Sequence, residues 1–87
     1  MKITVRAFGK LLLALNRTFD IELNEQATLH GLLQQLASQN PSTLSPLLWD
    51  STLTILINGR NIYSLHGMNT VLTDSDIVTL IPFVVGG

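Results

Sequence analysis

The chain has 87 residues, room for one domain, and a domain of that size buries only about 60% of the surface its unfolded form exposes. It has no cysteine, which excludes disulfides, thiolate metal sites and a cysteine nucleophile, and two separated histidines, His30 and His66, fall short of the four ligands of a structural zinc site. Charged residues make up 13% with a formal net charge of −1; the basic residues Lys2, Arg6, Lys10, Arg17 and Arg60 form no phosphate-neutralising cluster, so neither nucleic acid nor an anionic membrane is an expected partner.

Lys2 to Phe8 alternates, with Ile3, Val5 and Ala7 on one side and Lys2, Thr4, Arg6 and Phe8 on the other, which predicts a strand with one buried face. Gly9-Lys10 breaks it. Leu11 to Leu15 has the composition of one helical turn and is too short for a signal-peptide core or a membrane span, so a cytoplasmic location is expected. Thr18 to Leu23 alternates again, with Phe19, Ile21 and Leu23 inward, and predicts a second strand antiparallel to the first. Thr28 is a candidate N-cap for a helix whose stripe is Leu29, Leu32, Leu33, Leu36 and Ala37. Pro41 ends that helix by restricting Asn40 to extended geometry.

Ser45-Pro46 reads as a cap and first residue of a short turn carrying Leu47, Leu48 and Trp49, with Trp49 closing the helix end of the core. Leu53 to Ile57 predicts a third strand. Asn58-Gly59 suits a type I′ turn, because both positions tolerate positive φ, and Ile62-Tyr63 would return as a short fourth strand. Gly67 and Asn69 mark a loop. Asp74-Ser75-Asp76 marks a further turn, where two carboxylates fit an Asx-type turn better than paired acid–base chemistry. Ile77 to Ile81 is the last strand, with Val78 and Leu80 toward the helix, and pairing fades at Pro82. One helix on one face of a sheet makes an α+β two-layer domain.

Strand, strand, helix, strand, short strand, strand, with the segment Ile57-Asn58-Gly59-Arg60-Asn61-Ile62, resembles the ubiquitin-like sulfur carriers, most nearly the small subunit of molybdopterin synthase and its relatives. Leu65, Gly67, Thr70, Leu72, Asp74, Asp76, Val78, Pro82, Gly86 and Gly87 carry the resemblance through to a terminal Gly-Gly. Ser75 stands where glycine is frequent, and Phe83 and Val85 replace smaller residues. The resemblance implies a β-grasp fold, a mixed sheet with one main helix packed on one face and the first and last strands parallel and adjacent at its centre. It implies a domain over residues 1–82 and a flexible tail over 83–87. It also implies a task. The carboxylate of Gly87 is adenylated by a ubiquitin-activating-like enzyme that uses ATP, and is converted to a thiocarboxylate. The sulfur then goes to molybdopterin (molybdenum cofactor) biosynthesis. On this reading the chain is a non-catalytic carrier subunit with no stably bound cofactor, and a large subunit of molybdopterin synthase supplies the pterin site.

The residues agree with that chemistry. A carboxylate is a poor electrophile until adenylation gives it a leaving group. Without cysteine the chain cannot hold sulfur as a persulfide, which leaves the acyl group of Gly87 as the natural place. Gly86 and Gly87 let a backbone thread a narrow cleft, and Val84 and Val85 offer apolar walls behind them. Phe83 continues the outward side of the last strand, and with Phe8 and Ile81 it would form an apolar docking patch, against the plainer reading of an incompletely covered sheet edge. Arg60 is a candidate cation for a partner carboxylate, against the reading of a solvated surface arginine. His30 and His66 have no evident acid–base partner. Three alternatives stay open: a sulfur carrier for thiamin thiazole synthesis, a ubiquitin-like modifier forming isopeptide bonds, and a β-grasp interaction module with no activation chemistry.

Overall fold

The structure is a computed structural model that describes residues 1–9, 18–39, 41–50 and 52–82. Strand β1 spans Lys2–Ala7 and β2 spans Thr18–Glu22. Helix α1 covers Leu29–Ala37 and α2 covers Pro41–Leu48. Strands β3 (Thr54–Ile57) and β4 (Arg60–Asn61) precede two single 3-10 turns, at Ile62–Ser64 and Gly67–Asn69, and β5 (Ile77–Ile81) closes the fold. The five-stranded sheet has the order β2-β1-β5-β3-β4. β1 and β5 pair in parallel at its centre and the other neighbours pair antiparallel, giving the mixed sheet and covering helix of a β-grasp fold.

Alternation fills one side of the sheet with Ile3, Val5, Ala7, Ile21, Ile55, Ile57, Val78 and Leu80, all buried. Onto this surface α1 lays Leu29, Leu32, Leu33, Leu36 and Ala37. Each fully buried leucine contributes about 2 kcal/mol of apolar transfer, so this stripe holds the two layers together. Thr28 caps the helix as expected, its hydroxyl oxygen accepting from Gly31 N at 3.2 Å.

Two expectations give way. α1 ends at Ala37, and Pro41 opens a second helix where a short turn at Ser45 was expected. Proline suits a first helical position, having no N–H to leave unpaired. Pro46 then lies inside α2, where it removes one ladder bond. Burial of Leu44 and Leu48 on either side offsets that loss, and Trp49 N donates to Ser45 O at 3.0 Å to finish the turn. Trp49 itself is exposed and tilts against His30, with ring centroids 5.3 Å apart, so Leu48 rather than Trp49 closes the core there.

The second correction concerns the fourth strand, which is Arg60–Asn61 rather than Ile62-Tyr63. Asn61 Oδ1 accepts from Tyr63 N at 2.9 Å and starts a 3-10 turn that buries Ile62 and exposes Tyr63. A local side-chain bond competes with the ladder and prevails, because it also delivers Ile62 to the core. The turn before it is as expected: Asn58 and Gly59 have φ of 51° and 83° between the paired residues Ile57 and Arg60. The proposed turn at Leu11–Leu15 lies outside the described residues.

Candidate functional site

With α1 on one side, the other side of the sheet is built from alternate residues of each strand. The register sets Thr18, Arg6, Thr79, Leu56 and Asn61 in one row. Continuing the parallel pairing past Ala7 and Leu80 puts Phe8 beside Ile81, and Ile81 pairs with Thr54, forming the next row. Phe8 N donates to Leu80 O at 3.1 Å, which keeps Phe8 in the plane of the sheet although β1 ends at Ala7. Phe8 and Ile77 are each 40% exposed, while Ile81 and Leu56 are half-buried. Thr79 shares this face but is only 8% exposed.

The described chain leaves this face at the Phe8–Ile81 end, with Pro82. Pro82 follows Ile81 and packs beside Gly9, where a Cβ would come 3.5 Å from the Pro82 ring. Gly9 has φ +59°, a conformation that costs a residue with a side chain, so it turns β1 away at the root of the C-terminal segment. Phe83, Val84, Val85, Gly86 and Gly87 lie outside the described residues. If extended, these five residues reach at most about 17 Å from that root.

The sequence-derived candidates are therefore only partly brought together. Phe8 and Ile81 are neighbours. Arg60 is not with them: it pairs with Ile57, whose side chain enters the core, so the register gives Arg60 to the helix side of the sheet at its far edge. Arg6 occupies the place sought for Arg60, its guanidinium 5.6 Å from the centroid of the Phe8 ring. Leu56 is a further member of the face. Its alternating strand is apolar on both sides, so only the strand order shows which side it faces.

The two turn aspartates separate. Asp74 is exposed and its Oδ1 accepts from Lys2 N at 2.8 Å. Asp76 is 9% exposed and accepts from Asn58 Nδ2 at 2.8 Å, Thr73 N at 2.8 Å and Thr73 Oγ1 at 3.0 Å. Asn58 Oδ1 in turn accepts from Ile77 N at 2.9 Å. This network ties the β3–β4 turn to the start of β5, and every carboxylate contact in it is structural.

Among the described residues no group of three His, Cys, Asp or Glu could hold a metal, and no helix is long and apolar enough to cross a membrane. A groove of about 90 Å³ between the end of α2, β3 and the first 3-10 turn, lined by Trp49, Leu53, Ile62, Tyr63 and Met68 among others, is too small for a nucleotide.

Placing Ile81→Asp on this face should weaken partner binding more than folding. A carboxylate set into a desolvated apolar contact would cost about 2 kcal/mol of affinity, whereas its half-exposed site limits the cost to the fold. Full affinity of this variant in a pull-down would remove the face from consideration.

The ThiS family model matches residues 5–87 of the chain. No curated protein sequence matches it. Among solved structures, the chain is similar to small archaeal modifier protein 1 from Methanosarcina acetivorans, at 26% identity and a TM-score of 0.81, over 99% of this chain and 96% of that one. It is similar to Urm1 from Trypanosoma brucei, at 25% identity and a TM-score of 0.75, over 99% and 95%. It is also similar to a chain in the complex of subunits 1 and 2 of the molybdopterin-converting factor from Helicobacter pylori, at 26% identity and a TM-score of 0.59, over 100% of this chain and 100% of that one.

Proposed function

The chain belongs to the ThiS family, and from that premise we propose that it is a sulfur carrier whose reactive group is the acyl carbon of Gly87. A partner enzyme adenylates that carboxylate with ATP, releasing pyrophosphate. Hydrosulfide then displaces AMP, its C–S bond replacing the C–O bond to the phosphate, and loss of its proton leaves a thiocarboxylate. The carrier delivers this sulfur to molybdopterin synthesis, docked on a large subunit that holds the pterin. The observation that carries the reading is that the family match extends from residue 5, within β1, to the Gly-Gly pair at 86–87. Support comes from an open face, Phe8, Leu56, Ile77 and Ile81, that adjoins the root of residues 83–87. The similarity to a two-subunit molybdopterin-converting factor favours that pathway and a large-subunit partner.

Incubating the chain with its adenylating enzyme, ATP and a sulfur donor should shift its intact mass by one oxygen exchanged for sulfur. The reading fails if the mass stays fixed while the enzyme turns over another carrier. A second reading, a protein modifier, is favoured by the similarity to small archaeal modifier protein 1. The same activated terminus would serve it, and denaturing gels of cell extract distinguish the two: a modifier gives a ladder of conjugates, a carrier only the free chain.

A further inference from the structure

Two cations stand on the outer face of β1, and the fold treats them differently. Lys2 Nζ lies 3.9 Å from Asp20 Oδ2, and Asp20 also accepts from Thr4 Oγ1 at 2.9 Å, so charge at that end of the face is matched internally. Arg6 is exposed, and among the described residues no carboxylate lies within ion-pairing distance of it. Its contact is the Phe8 ring, 5.6 Å away at the centroid. The residues that share its row, Thr18, Thr79, Leu56 and Asn61, are uncharged, as are Ile81 and Thr54 in the next. At the Pro82 end of the face, Arg6 is thus the one charge among the described residues.

In water an unpaired guanidinium is satisfied by solvent. Once a partner covers Phe8 and Ile81, that solvent is removed, and a buried cation without a carboxylate is strongly unfavourable. Stacking on Phe8 already restricts the long side chain, so less freedom is lost when a partner engages it.

We propose that Arg6 reads charge on the docking face: the activating enzyme that covers the Phe8–Ile81 patch presents an aspartate or glutamate to the Arg6 guanidinium, beside an apolar surface that receives Phe8. This inference rests on the carrier reading and deepens it by naming the partner's chemistry. The guanidinium fork donates two parallel hydrogen bonds to a carboxylate, which fixes the orientation of the carrier as well as its affinity. Orientation matters because it aims the root at Pro82, and with it the five residues beyond.

The test is calorimetric titration of the full chain into its adenylating enzyme at low and high salt. Arg6→Gln should weaken binding roughly 10-fold and flatten its salt dependence, and Arg6→Glu should weaken it roughly 100-fold. Arg6→Lys should recover part of the loss, and Lys2→Gln should bind as the wild type does. Circular dichroism should show every variant folded, since Arg6 is exposed and outside the core. Unchanged affinity for Arg6→Glu overturns the proposal, as does a loss with full salt dependence retained, which would assign Arg6 to packing alone. Self-association of the wild-type chain abolished by Arg6→Glu would also overturn it, making a second copy the occupant. If the wild-type chain is activated normally and only the Arg6 result fails, the carrier reading stands. A wild-type chain that is neither bound nor adenylated removes both.

Discussion

Deleting Gly87 should leave the melting curve of the protein unchanged and reduce adenylation at least roughly 1,000-fold, a loss of function without loss of fold. The argument is one of reach. The described core ends with Leu80 on β5, and Gly87 has no side chain to bury, so deleting it takes no apolar side chain from the fold. On the proposed reading the open face docks the globule, and Pro82 packs beside Gly9 at the root of the last five residues. With the root held, removing a residue withdraws the terminal carbon by about 3.5 Å. Displacing a reacting atom by even about 1 Å can lower a rate about 100-fold, and here the new terminus falls several times farther short of the nucleotide. Release of labelled pyrophosphate measures the effect, beside thermal melts of both chains. Appending one residue after Gly87 should be as damaging, because it buries the acyl carbon in an amide. An appended chain that still accepts AMP, with no protease trimming it, would show that the reactive group lies elsewhere.

Asp76→Ala should destabilise the fold by about 3 kcal/mol, which for a domain of this size lowers the melting temperature by about 10–20 °C. Three donors converge on this nearly buried carboxylate, from Asn58 and from both the backbone and the hydroxyl of Thr73. Hydrogen bonds to a charged acceptor are worth more than neutral ones, and their loss also frees the Asn58 side chain that accepts from Ile77 N. Asn58 sits at φ 51°, so the turn relies on that anchoring to hold its shape. Asp74→Ala is the control. It removes one exposed acceptor for Lys2 N and should cost only about 1 kcal/mol. Denaturant unfolding of the two variants side by side checks the ranking. Equal midpoints would mean that the Asp76 network is not what joins the β3–β4 turn to β5.

These cases show where sequence reasoning reaches and where it stops. The stripe from Leu29 to Ala37 was legible because a helix repeats every 3.6 residues and a threonine cap precedes it. Asn58-Gly59 was legible because few residue pairs accept positive φ twice in succession. The opening of a helix at Pro41 was not, since proline ends one helix and begins another with equal ease, and only the burial of Leu44 and Leu48 decides between them. Nor was the partition of the aspartates, because Asp76 is distinguished by Asn58, 18 positions away, and nothing local announces such a partner.

Alternation and periodicity, which depend on the backbone geometry of each segment alone, sufficed to determine two layers and the residues between them. The meeting of Phe8 and Ile81 was expected from the resemblance, and only the tertiary structure decided what else joins them on the open face. Bringing β5 between β1 and β3 sets Ile81 beside Phe8, places Arg6 at their margin and sends Arg60 to the opposite side. Strand order and register arise from contacts far apart in the chain, and no local pattern encodes which strand becomes the neighbour of which.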